Sequence, residues 1–433
     1  MSDATFLSKQ VSRRKFSRDA TVATIGTIVY GAIKSNSLAQ PASEKLRVAV
    51  MGLGRGMDLA QAALALPNTE ITFLCDIDDE RIARGQKILE SKFSRKPKGE
   101  KDIRQVLESS EVDALFIAAP NHWHAPASIM ACAAGKHVYV EKPCSHNPWE
   151  GEMMVKAARK HGRHVQMGNQ RRSWPAVIEA MQRIREGAIG PVRYARCWYN
   201  NARTSIGRGR QIPVPANIDY SLWQGPAPER PYLDNLVHYN WHWRWHWGNA
   251  ELGNNGIHAL DLARWGLGVE YPTRVSCHGG RYHFSDDQET PDTTVASFDF
   301  GGKGATWDGS SCHPRETEKL PFITFYGDSG SLSIIGSGYR IDDLKGKETA
   351  RGNGEGGEKI HIANFFDAIR KGNPLTSEIL EGHKSTLLCH LGNIAWRTHS
   401  SLEMDPKTGW ILKHKEASKL WKREYRAGWE PKV

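Results

Sequence analysis

Through the first part of the chain, short apolar runs alternate with amphipathic stretches. Leu46 to Met51, Glu70 to Cys75, Val112 to Ala118, His137 to Val140 and His164 to Met167 have the length and β-branched content of buried strands. Between them, Asp58 to Leu66, Asp79 to Glu90, Lys101 to Ser109, Ala125 to Ala134 and Trp149 to His161 carry helical periodicity. Strand-helix alternation of this kind predicts a parallel sheet with crossover helices, an α/β domain. After a helix at Pro175 to Gly187, the pattern changes to strand-like runs at Pro191 to Tyr199, Thr273 to Phe284, Thr293 to Phe300, Ala305 to Gly309, Phe322 to Tyr326 and Ser331 to Ile335. That meander predicts an α+β domain with a large, mostly antiparallel open sheet. The Gly- and Lys-rich residues 345–357 read as a mobile loop, and helices at Ile360 to Lys371 and Glu378 to Thr398 are expected to return to the first domain. The expected divisions are 1–39, 40–170, 171–375 and 376–433.

Length and composition narrow the picture. A chain of 433 residues is too long for one core, and 39% hydrophobic with 24% charged residues is ordinary for a globular protein. Of the net charge of +10, residues 1–39 supply +4, and the remainder is spread without a basic block, so no nucleic-acid partner is expected. The seven Cys contain no C-x-x-C pair, so neither a metal site nor a disulfide framework is indicated. Residues 1–39 resemble a twin-arginine export signal, with Arg13-Arg14-Lys15-Phe16, a mildly apolar run from Ala20 to Ile33, and small residues at Ser37 and Ala39. The run is too short for a comfortable membrane span, so the expected location is the periplasm, reached through the export machinery and without a stable membrane anchor.

Candidate chemistry gathers at the carboxyl ends of the predicted strands, where open α/β sheets bind ligands. Gly52-Leu53-Gly54-Arg55-Gly56-Met57 turns the first strand into a helix; Gly52 allows the tight turn and Gly54 a close approach by a pyrophosphate. The third glycine comes one residue early, at Gly56. Asp76 ends the second strand, where a carboxylate accepts hydrogen bonds from a ribose diol and repels a 2′-phosphate, favouring NAD over NADP. Pro120-Asn121-His122-Trp123-His124 follows a third strand; Asn121 faces the same crevice, and His124 either packs or lines the cofactor pocket. Glu141-Lys142-Pro143 ends a fourth, with a lysine aimed at the bound molecule.

Together these segments resemble the Gfo/Idh/MocA oxidoreductases, which have a Rossmann domain followed by a sheet-rich substrate domain. The resemblance implies that Lys142 is the catalytic lysine and that Glu141 and Pro143 shape the site beside the nicotinamide. The family commonly carries an Asp four residues before its catalytic-site His; here Asn254 stands four before His258. Asn cannot take a proton, which leaves the base role to His258 alone.

Asp261, three residues after His258, shares a helical face with it and is expected to orient the imidazole or bind substrate. The run Tyr239 to Trp247 contains Trp241 and Trp243, which serve either as core or as flat faces for a sugar ring. The expected activity is NAD-dependent oxidation or reduction of a sugar, sugar alcohol or glycoside hydroxyl, with His258 as base and Lys142 stabilising the alkoxide. An exported enzyme of this kind needs a tightly retained NAD. Glycoside cleavage by oxidation, elimination and reduction is the alternative; a non-catalytic carbohydrate- or nucleotide-binding protein is the second. A homo-oligomer is expected from the exposed face of the large sheet.

Overall fold

Period-two alternation in the first strand sorts its side chains onto two faces. In β1 (Leu46–Met51), Val48 and Val50 enter one apolar cluster while Ala49 and Met51 enter another. The computed structural model describes residues 45–433, so the export-like segment lies outside the described residues. With β2 (Thr69–Cys75), β3 (Lys98–Glu100), β4 (Ala114–Ile117), β5 (His137–Val140) and β6 (Val165–Met167), β1 builds a six-stranded parallel sheet in the order β3-β2-β1-β4-β5-β6. The strand order reverses between β1 and β4, which opens a crevice at their carboxyl ends.

One face of this sheet is closed by the helix Glu358–Lys371, whose Ile362, Phe365, Phe366 and Ile369 pack on Phe116 and Tyr139. The other face joins a core that continues beneath the second sheet through the helices Ile257–Leu267 and Ile379–Arg397. The second sheet has ten strands. They are β7 (Val192–Asn200), β8 (Arg274–Gly280), β9 (Thr293–Asp299), β10 (Gly304–Ser310), β11 (Ile323–Gly327), β12 (Gly330–Ile335), β13 (Gly338–Asp343), β14 (Glu348–Gly352), β15 (Leu402–Met404) and β16 (Ile411–Leu412). Their order is β14-β13-β12-β11-β7-β10-β9-β8-β15-β16, and only β7 and β10 run parallel.

Residues 345–357, expected as a loop throughout, contain the edge strand β14, paired with β13 and closed by Asp343 N–H on the Lys347 carbonyl at 2.9 Å. Its residues are mostly exposed and polar, so its identity as a strand comes from main-chain pairing rather than an apolar face. The same holds for β3, Lys-Gly-Glu, which escaped the hydrophobic pattern. The seven cysteines are free, and six of them are buried.

Candidate active site

The glycine turn closes on the end of β4. Gly52 has φ +87°, and a Cβ there would lie 2.6 Å from the Ala118 carbonyl oxygen, so only glycine fits between the two strand ends. Gly54 leads into the helix Arg55–Leu64, whose amino end faces the crevice. Gly56 has a different task from the expected cofactor contact. A Cβ there would lie 2.8 Å from Val50 Cγ1, so its missing side chain lets the helix sit on β1. It thereby does the packing work of the usual third glycine one position early.

Asp76 is buried at the end of β2, where its Oδ2 accepts the Leu53 N–H at 2.7 Å and its Oδ1 the Asp78 N–H at 3.2 Å. Burial raises its pKa, while those two donors oppose the shift. The carboxylate therefore holds the glycine turn in place and faces a cavity of about 400 Å³. Gly52, Gly54, Arg55, Asn121, His124, Glu141, Lys142, Trp241 and Asn254 also line that cavity. A glycine cradle, a helix amino end and an acid at the end of β2 fit the pyrophosphate and adenosine ribose of NAD.

Arg55 bonds Glu141 at 3.1 Å and Glu358 at 2.7 Å, with Asp58 at 3.5 Å; burial lowers its pKa, and Glu141 and Glu358 outweigh that and raise it. Glu141 also accepts the Lys142 N–H at 3.2 Å, so it braces the lysine's backbone. His124 is not free to bond a cofactor. Its Nδ1 lies 2.6 Å from the Pro143 carbonyl and its Nε2 2.7 Å from the Ala119 carbonyl, tying the end of β4 to the segment after Lys142. Burial lowers its pKa, and the two carbonyls oppose that shift.

Lys142 donates from Nζ to the Asn254 carbonyl at 2.8 Å and to Asn254 Oδ1 at 3.2 Å. Asn254 belongs to the π-helical segment Leu252–Gly256, whose irregular hydrogen bonding leaves that carbonyl for the ammonium. Burial lowers the Lys142 pKa; Glu141 and Glu251 act the other way, and Arg55 and Arg203 add to the lowering. His258 opens the following helix. Burial, then the positive fields of Lys142, Arg171 and Arg55, hold its pKa well below the ordinary imidazole value. Neither of its ring nitrogens bonds another described residue, so a neutral acceptor is available beside a cationic donor.

Asp261 does not join this pair. It is buried against Arg172 at 2.8 Å and accepts the Ser385 hydroxyl at 2.7 Å, so its carboxylate is a core counter-ion. The Trp-rich run is also mainly core: Trp241 and Trp247 pack with Trp223, Tyr220 and Tyr232, and Trp243 is buried beside Arg203. Of these, Trp241 and Trp223 reach the cavity.

Several site residues escaped the pattern reading. His242 lines the cavity, stacked on Trp241 with ring centroids 3.6 Å apart, and burial pushes its pKa down to about 3. Glu251 accepts from Arg203 at 2.8 Å and from Asn255, and Arg203 donates to the Tyr239 hydroxyl at 2.8 Å, bracing the π segment from behind. The chain between β7 and this segment also crosses the crevice. Asp79 N–H bonds the Asn217 carbonyl at 3.1 Å, Asp219 N–H the Ile77 carbonyl at 2.9 Å, and His238 Nε2 lies 3.0 Å from Asp78 Oδ2. Trp223, His238 and Tyr239 thus roof the cavity. No local periodicity marks these contacts; the one hint in the sequence was that Tyr239 and His242 fall within the aromatic- and His-rich run.

Two family profiles match the chain. One, an oxidoreductase family with an NAD-binding Rossmann fold, covers residues 46–169; the other, the C-terminal alpha/beta domain of an oxidoreductase family, covers residues 198–431. A glycosyl hydrolase family 109 protein of Saccharopolyspora erythraea is 28% identical over 208 residues, 43% of this chain and 45% of the relative. An alpha-N-acetylgalactosaminidase of Bacteroides fragilis is 27% identical over 173 residues, 39% of this chain and 41% of the relative. The chain therefore spans less than half the length of these curated relatives. Levoglucosan dehydrogenase in complex with NADH and levoglucosan shares the fold with a TM-score of 0.65 at 19% identity, over 83% of this chain and 99% of that one. The aldose-aldose oxidoreductase from Caulobacter crescentus complexed with glycerol does so with a TM-score of 0.64 at 20% identity, over 83% and 100%.

Proposed function

This chain belongs to the Gfo/Idh/MocA oxidoreductase family, and we propose that it oxidises a hydroxyl of a sugar, sugar alcohol or glycoside with Lys142 and His258 managing the hydroxyl proton. The observation that carries this reading is the half-buried Lys142 ammonium, held at 2.8 Å by the Asn254 carbonyl where both line the NAD-binding crevice, with the neutral, unbonded imidazole of His258 within its field. His258 takes the O–H proton, and the Lys142 ammonium donates a hydrogen bond to the oxygen as negative charge develops on it. Arg171 adds positive field at His258, which disfavours the imidazolium and sharpens its return to the neutral form. NAD, held by the glycine turn and Asp76, supplies the hydride acceptor when bound.

Asn254 tunes the lysine. Asn254→Asp brings a carboxylate within hydrogen-bond reach of Nζ, which favours the ammonium and raises the Lys142 pKa. The limb of the kcat/KM profile that reports loss of the Lys142 proton is expected to move up by about one pH unit or more. A superimposable profile in the variant would remove Lys142 titration from the rate.

A second reading has specific support, because curated relatives carry glycosyl hydrolase and N-acetylgalactosaminidase names. In it, the new sugar ketone acidifies the neighbouring C–H, a base removes that proton, the aglycone leaves, water adds, and hydride returns to the ketone. Both readings keep one nucleotide through the whole turnover, and the roof over the crevice supports retention. Retention also suits export of a folded, loaded protein, which the Arg13-Arg14 segment motivates.

The test is to denature protein recovered from the periplasm and to identify any released nucleotide by mass spectrometry. About one NAD(H) per chain, with no NADP(H), is expected, because the Asp76 carboxylate repels a 2′-phosphate. Turnover of sugar pairs or of 4-nitrophenyl α-N-acetylgalactosaminide without added nucleotide then separates redox exchange from glycoside cleavage. Protein without nucleotide that also fails to bind added NAD overturns the proposal.

A further inference from the structure

A second cavity, of about 390 Å³, lies behind the catalytic loop. Trp223, which roofs the NAD crevice, packs on His122 and Trp247; the ring of His246 against Trp247 and the charge of Arg423 near His122 belong to this other chamber. Three guanidinium groups line it: Arg230, Arg397 and Arg423. None of them forms an ion pair among the described residues, whereas the nearby Glu229 is taken by Arg426 at 2.7 Å and Lys422 is paired with Glu430. Only Glu424 remains as an unpaired lining carboxylate.

The imidazoles of the chamber do not relieve this excess. His146 sets its Nε2 3.1 Å from the Trp245 carbonyl and its Nδ1 3.4 Å from Arg423 Nη1, so the ring is neutral and accepts from the arginine. Burial, then the charge of Arg423, lowers the His146 pKa further. Glu150 lends Arg423 a compensating negative field and Glu289 does so for Arg397, but neither reaches ion-pair distance, so among the described residues the chamber's guanidinium groups have no directly bonded carboxylate. Arg397 also lies 5.1 Å over the Trp245 ring, which places an aromatic face beside the charges. Asn249 is a second pointer: it is 5% exposed, its Nδ2 donates to the His146 carbonyl at 2.9 Å, and its Oδ1 has no partner.

We propose that this chamber is a binding site for a small acidic ligand, an oxyanion carried on a ring or short apolar body, anchored by Arg230, Arg397 and Arg423 with Trp245 beneath the body. The site is independent of hydride transfer, yet it is wired to the catalytic loop. Asn249 holds His146, four residues after Lys142, and its own carbonyl accepts the Gly253 N–H at 3.0 Å in the segment that carries Asn254. An occupant therefore braces both partners of the Lys142–Asn254 contact.

The experiment uses the intact protein with its nucleotide, titrated by calorimetry with sodium glucuronate and with sodium sulfate, against glucose and sodium chloride at matched ionic strength. Saturable binding of glucuronate is expected. Arg230→Gln with Arg397→Gln, both at the rim, should weaken it by about tenfold or more, since charge-assisted bonds to an oxyanion are lost. Equal binding of sulfate assigns the site to the oxyanion alone; preference for glucuronate assigns it to an acidic sugar. As a check that does not depend on a variant folding, selenate soaked into crystals should give an anomalous peak between the arginines. No saturable binding of either anion, undiminished binding in the variant, or selenate found only elsewhere overturns the assignment. Because binding is read directly, failure here leaves the hydride-transfer reading untouched, and a chain inactive toward sugars can still show this site.

Discussion

Lys142→Met should lower kcat for sugar oxidation by about 100- to 10,000-fold while leaving the nucleotide bound. Methionine matches the length of the lysine stem, so the cavity keeps its volume, but the donor to the reacting oxygen and the local positive charge are lost. The Asn254 carbonyl also loses the ammonium that now sits 2.8 Å away, so the π segment gives up one tie to the turn after β5. On the proposed reading the glycine turn, Asp76 and the roof hold the nucleotide, so its stoichiometry after denaturation should match the wild type. Single-turnover reduction of the bound NAD, followed by absorbance, reads the chemical step itself. Activity within tenfold of wild type would take Lys142 out of the chemistry; loss of nucleotide together with activity would recast it as a cofactor residue.

Asp261→Ala should destabilise the protein by about 3–5 kcal/mol, because it leaves a buried guanidinium without its counter-ion. The side chains of Arg172 and Asp261 are 6% and 2% exposed and 2.8 Å apart. Arg172 has a second carboxylate, Glu381, only at 3.7 Å, and Glu381 is already engaged by Arg264. Urea denaturation of the variant reads the loss. Replacing both partners, Asp261→Leu with Arg172→Met, should recover much of it, since the cost lies in the unpaired charge rather than in the missing attraction. Substrate KM in the folded single variant should stay within a few-fold of wild type. An unchanged midpoint with a sharply raised KM would return Asp261 to the substrate site.

The contrast between these two residues shows what was legible in the chain alone. The placement of Lys142 at the crevice was readable because its surroundings are local: a β-branched strand that must be buried, a Pro that follows it, and the rule that ligands meet a parallel sheet at that end. Asp76 and Gly52 were readable for the same reason, since strand ends and tight turns are set by neighbours in sequence. Asp261 was misread because helical spacing says which residues share a face, not what that face meets. The partner that claims it, Arg172, lies 89 positions away. His124 and Gly56 follow the same logic, one bonded to carbonyls of two different segments and the other pressed on a strand.

The sequence by itself determined the alternation that makes the α/β sheet, the glycine cradle, and the placement of Lys142 at a strand end facing the crevice. Tertiary structure alone decided that the Trp run is chiefly core, that residues 348–352 pair as an edge strand, and that Asn217, Asp219 and His238 close a roof over the crevice. It also decided that three arginines, at 230, 397 and 423, face one chamber. Periodicity and turn chemistry act over a few residues and are written into composition and spacing; counter-ions and cavity walls are chosen by contacts far apart along the chain, 89 positions for Arg172 and Asp261 and 139 for Asp78 and Asn217, which only the folded chain brings together.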